Sequence, residues 1–125
     1  MTDKEKLYET LGELLYVVAK ADGVIQSEER EALLKILENH KWAAEISWSF
    51  NYEDLHNSSV EDIYKKVINS CHSYGPSAEY VEFIAAMKTL AAASEGINAS
   101  ESKVINSFSS DLIERFQNDL EKLKN

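Results

Sequence analysis

Apolar residues recur along this chain at steps of three and four, the spacing that stacks side chains on one face of a helix rather than alternating across a strand. Leu7, Leu11, Leu14, Leu15 and Val18 form a first stripe that should stop near Gly23. Ser27 with Glu28 and Glu29 then reads as a helix N-terminus ahead of Leu33, Leu34, Ile36 and Leu37. From Lys41 to Leu55, Trp42, Ile46, Phe50 and Tyr52 favour a helix while Ser47, Ser49 and Asn51 weaken it. Ser58-Ser59-Val60-Glu61 is a capping-box pattern, followed by an apolar face of Val60, Ile63, Tyr64, Val67, Ile68 and Cys71 that ends at Gly75-Pro76. Tyr80 to Ala93 is an Ala-rich helix able to let neighbours approach closely. The final stripe (Val104, Ile105, Phe108, Leu112, Phe116, Leu120, Leu123) is interrupted by Ser109-Ser110-Asp111 with Glu114, which reads as a fresh cap. The prediction is one compact all-α domain of six to seven helices. Its parts are a first hairpin over about 4–39, connecting helices over about 41–74, a second hairpin over about 78–109 and a C-terminal helix over about 111–124.

The two hairpins look like one unit used twice. Gly96 follows Gly23 by 73 residues, and that shift pairs Leu11 with Ile84, Leu14 with Met87, Val17 with Leu90, Ala19 with Ala92 and Asp22 with Glu95. After the turn a one-residue deletion aligns Glu29 with Glu101, Leu33 with Ile105 and Ile36 with Phe108. A pseudo-twofold pair of hairpins is the architecture such a repeat implies.

Composition narrows the function. The chain has 125 residues and a formal charge of −9, which suits one domain and argues against nucleic acid, whose phosphates demand positive charge. Cys71 is the only cysteine, so no internal disulfide forms, and no apolar segment follows a basic cap at the amino end. A reducing cytoplasm is the expected setting. The longest apolar runs, Leu14 to Ala19, Phe83 to Met87 and Leu90 to Ala93, fall well short of the roughly 20 residues that span a bilayer.

The helix ending in Ala21-Asp22-Gly23, with Ile25 and Glu29 opening the next and the pattern returning about half a chain later, resembles the tellurite-resistance TerB-like family. The resemblance covers most of the chain. It implies an all-α domain with paired hairpins, carried on cytoplasmic bacterial proteins and linked to tellurium and other stress responses. It also implies acidic turns for which metal binding has been proposed, and no established enzymatic activity. Asp22, Gly23, Ile25 and Glu29 fit the first motif; in the second, Glu95 replaces the expected Asp, the turn is one residue short, and Glu101 stands for the closing Glu. No His-Pro-Asp occurs, so the J-domain cochaperones that carry such a domain are not matched.

The turns hold the one constellation with chemical potential. Hard divalent cations take oxygen ligands, and Asp22, Glu29, Glu95 and Glu101 would supply four carboxylates for calcium, magnesium, manganese or zinc if the fold brings them together, with Gly23 and Gly96 shaping the turns. Each like-charge pair at about 4 Å would otherwise cost on the order of 4 kcal/mol. The simpler reading makes these acids helix-terminal groups, each favoured by roughly 0.3–1 kcal/mol at the positive end of the macrodipole. Asp-Gly-x-Ile-x-x-x-Glu also matches the second half of an EF-hand, but the upstream ligand positions are Val18 and Lys20, so only a degenerate calcium sensor would result.

Other signals point away from catalysis. Glu53-x-x-His56 has the spacing of a di-iron helix but lacks a second copy, and a surface loop is the expected setting. Cys71 lies on an apolar stripe and reads as packing. No nucleophile elbow, phosphate loop or paired cysteine motif is present. Trp42, Trp48, Phe50 and Tyr52 form an aromatic segment that serves either the core or a protein partner. The sequence thus predicts a non-catalytic stress-response binding or scaffolding module. A divalent cation at the turns is the leading expectation, and a metal-free adaptor using the aromatic surface is the alternative. A protein partner is expected, with recruitment to a membrane-associated complex left open; a nucleic acid or a bilayer span is not.

Overall fold

The computed structural model describes residues 2–93 and 98–124. They form α1 (Asp3–Lys20), α2 (Ser27–Leu37), α3 (Ala43–Leu55), α4 (Val60–Tyr74), α5 (Glu79–Ala91) and α6 (Ala99–Lys124), with no strand among the described residues. The all-α prediction holds, at the lower of the two helix counts.

α1 starts where the Thr2 side chain accepts the Glu5 backbone N–H at 3.1 Å, and its centre is buried on every side from Thr10 to Ala19. That exceeds the single stripe read from the sequence because α1 packs against α3, α4, α5 and α6 at once. α2 packs on α5 while α6 packs on α1, the reciprocal pattern that a twofold relation between the hairpins produces. The core places Tyr16 edge-on against Phe50, with ring centroids 6.1 Å apart, and Tyr80 edge-on against Phe83 and Phe108. Tyr16 donates its buried hydroxyl to the Ser58 carbonyl at 2.7 Å, tying α1 to the turn between α3 and α4.

α1 and α3 approach closely at Gly12. A Cβ built there would overlap Ser49 Oγ and the Ile46 carbonyl oxygen, while Ser49 Oγ donates to the Glu9 carbonyl at 2.6 Å.

Several boundaries differ from prediction. α6 runs unbroken through Ser109-Ser110-Asp111, because Asp111 accepts a hydrogen bond from the Tyr64 hydroxyl at 2.5 Å and so serves helix packing rather than a cap. α4 is capped by Ser59, whose side chain accepts the Asp62 N–H at 3.3 Å. Ser58 is diverted: its hydroxyl donates to Glu53 Oε1 at 2.8 Å. α2 takes Gln26 as its cap, one residue before the predicted Ser27, and buries Ala32 and Leu33 while Leu34 stays exposed. Among the described residues, no helix is long and apolar enough to cross a membrane.

Candidate functional site

Glu29 and Glu101 are each the third residue of a helix, α2 and α6 respectively, and each turns its carboxylate back onto its own cap. Glu29 Oε1 accepts the Gln26 N–H at 2.9 Å and Glu101 Oε1 accepts the Asn98 N–H at 3.1 Å. The second box is closed in both directions, since Asn98 Oδ1 accepts the Glu101 N–H at 2.8 Å. Helix capping thus accounts for one oxygen of each acid, as the simpler sequence reading expected.

Capping does not account for the rest. Glu29 and Glu101 are 1% and 2% exposed, and their carboxyl groups lie within hydrogen-bonding reach of one another. Among the described residues, no N–H or hydroxyl donates to the buried Glu29 Oε2. Burial, then the neighbouring Glu101 carboxyl, push the Glu29 carboxyl up to about 7, against the opposing pull of the Gln26 N–H. At neutral pH the Glu29 carboxyl therefore sits at the edge of holding its proton.

Asp22 occupies the rim. Its exposed carboxylate accepts the Val24 N–H at 3.3 Å and the Asn98 Nδ2–H at 3.2 Å, so it stitches the first turn to the cap of the second. Gly23 has a φ of 97°, the left-handed conformation that favours glycine at such a turn. Glu95 and Gly96 lie outside the described residues. The structure therefore brings Glu29 and Glu101 together with Asp22 beside them; among the described residues no group of three or more His, Cys, Asp or Glu is placed to hold a metal ion. Val18 and Lys20, the positions an EF-hand would need, lie within α1, with Val18 fully buried.

The aromatic segment divides. Phe50 is buried in the core, which removes it from any partner surface, because it faces Tyr16 across the α1–α3 contact. Trp42 is half-buried and stacks on Tyr8 with centroids 5.6 Å apart, so it too serves packing. Trp48 and Tyr52 are 61% and 47% exposed and stack on each other with centroids 5.4 Å apart.

Sequence reasoning missed Glu13 and misplaced Glu53. Glu13, inside the buried stretch of α1, and Glu53, on α3 rather than in the expected surface loop, are 6% and 4% exposed and both face Lys66 of α4. The signal available for Glu13 was its place between Gly12 and Leu14 on an otherwise apolar run. No protein-family model, curated protein or solved structure matches this chain.

Proposed function

We propose that this chain is a non-catalytic, TerB-like binding module of the bacterial cytoplasm, acting in stress response, in which the Glu29–Glu101 pair takes up a divalent cation with Asp22 at its rim. The observation that carries this reading is the buried Glu29 Oε2, to which no N–H or hydroxyl among the described residues donates, beside a second buried carboxyl group. Carboxylate oxygens are the donors that calcium, magnesium and manganese prefer, and a cation would neutralise a pair that otherwise needs a proton. Two buried carboxylates provide charge but few ligands, so water would complete the shell. That favours a modest affinity over a dedicated cage.

The test is an amide NMR titration of chelator-treated protein with calcium, magnesium, manganese and zinc. Saturable shifts, or manganese broadening centred on Glu29 and Glu101 and lost in Glu29→Gln, support the site. No response at millimolar metal overturns it and leaves both acids as helix caps.

The exposed, stacked Trp48 and Tyr52 favour a second reading, a metal-free protein–protein adaptor. Partner binding that persists in Glu29→Gln and is lost in Trp48→Ala would select it.

A further inference from the structure

A cleft of about 340 Å³ opens between α1, α3 and α4, lined by Glu9, Glu13, Glu53, Lys66, Trp48 and Tyr52. Its floor is acidic. Glu13 and Glu53 are buried, and the Lys66 ammonium reaches Glu13 Oε2 at 2.6 Å and Glu53 Oε2 at 4.0 Å. Its wall is aromatic, formed by the stacked Trp48 and Tyr52 rings, with His56 stacked on Tyr52 at a centroid distance of 4.2 Å. Three carboxylates thus face one ammonium, and that ammonium rides on a side chain that is 59% exposed.

We propose that this cleft binds an arginine side chain of a basic peptide partner, with Lys66 as the internal cation that partly occupies it until the arginine arrives. A buried carboxylate pair seeks a cation, and a planar guanidinium can pair with carboxylate oxygens while its face lies on an indole or phenol ring. Lys66 supplies the direct indication that the cleft accepts a cationic group, and its side chain reaches the floor from solvent. The chain's formal charge of −9 steers a basic segment toward it. The volume lies within the roughly 300–1,000 Å³ of ordinary ligand pockets. The inference uses α1, α3 and α4 and does not depend on the cation reading of the turns.

The experiment is an amide and indole NMR titration with three capped tripeptides: acetyl-Gly-Arg-Gly-amide and its Lys and Glu counterparts. The arginine peptide should give saturable shifts at the Trp48 indole N–H and the Ser49 and Glu13 amides, binding more tightly than the lysine peptide, with the glutamate peptide silent. Lys66→Met should strengthen arginine binding by roughly tenfold by removing the internal competitor. Trp48→Ala should weaken it by roughly tenfold through loss of the ring face. Glu13→Gln should abolish it. Both Lys66 and Trp48 are exposed, so those two variants decide the matter even if the Glu13 variant fails to fold. The proposal is overturned by an absence of saturable shifts in both the wild type and Lys66→Met, by equal affinity for all three peptides, or by affinity that Lys66→Met and Trp48→Ala leave unchanged.

Discussion

Glu29 and Glu101 hold the same position in two different helices: each closes the cap of its own helix through Oε1, and the two carboxyl groups meet in the interior. One residue type thereby does two jobs, local at the helix end and tertiary between the hairpins. The local job tolerates a protonated or an ionised carboxyl. The tertiary one does not, because two ionised groups in so dry a place repel.

The pH dependence of stability follows with a definite sign. The Glu29 carboxyl titrates near 7 in the folded chain against an ordinary 4.5, so between those values the folded state holds a proton that the unfolded state has released. Stability from this group is full below about 4.5, falls as pH rises through the window, and is lowest above about 7. Glu29→Gln keeps an oxygen for the Gln26 N–H and removes the titration. Urea denaturation should show the variant gaining on the wild type from pH 5 to pH 8. Parallel curves would show that the carboxyl is not held up by its surroundings.

Gly12→Ala reverses the usual helix rule. On an exposed helix that change stabilises by up to about 1 kcal/mol, since alanine is the better helix former. At the α1–α3 crossing the new methyl meets Ser49 Oγ and the Ile46 backbone, neither of which can swing away like the end of a long side chain. A loss of about 1–3 kcal/mol is expected from overpacking, read from the denaturation midpoint. A neutral or stabilising result would mean that the two helices can separate cheaply.

Ser110→Pro distinguishes one C-terminal helix from two. Proline is well tolerated as the first residue of a helix but costs about 3 kcal/mol inside one. Because α6 is continuous from Ala99 to Lys124, the substitution should either cost that much or melt the segment beyond it, visible as lost helical circular dichroism. Unchanged helicity and stability would restore the cap at Ser109-Ser110-Asp111.

Cys71 should be silent in the folded protein. It is fully buried on α4, and burial pushes its thiol up to about 12, so neither access nor thiolate is available to a disulfide reagent. Its labelling rate should rise with urea in step with global unfolding. Fast labelling in native buffer would show local opening of α4.

The helices were legible because their signal is local. Steps of three and four, the Gly23 turn and the Gly75-Pro76 stop fall within a few residues of where they act, and α1 to α5 lie near where these marks put them, while α6 joins the two segments expected on either side of Ser109-Ser110-Asp111. The repeat matches Glu29 with Glu101 as equivalent helix-start positions, but their meeting in space depends on how the hairpins pack, which no local pattern carries. Errors of a residue at Gln26 and Ser59 arose where neighbouring polar residues could each serve as a cap, and a side chain's outside partners chose between them. Ser58 was taken by Glu53, and Asp111 by Tyr64.

What the sequence determined by itself is the set of helices and the placing of acids at their starts, since periodicity and capping are properties of short segments. Only the tertiary structure decided which polar residues went inside. Glu13 and Glu53 look like surface acids by type, yet the packing of the helices buries them and sets Lys66 beside them. Phe50 and Tyr52 are two residues apart on one helix, and the position of α1 made the first core and left the second exposed. Burial is fixed by what packs on a residue from elsewhere in the chain, and a helical pattern tells which residues share a face without telling which neighbour that face meets.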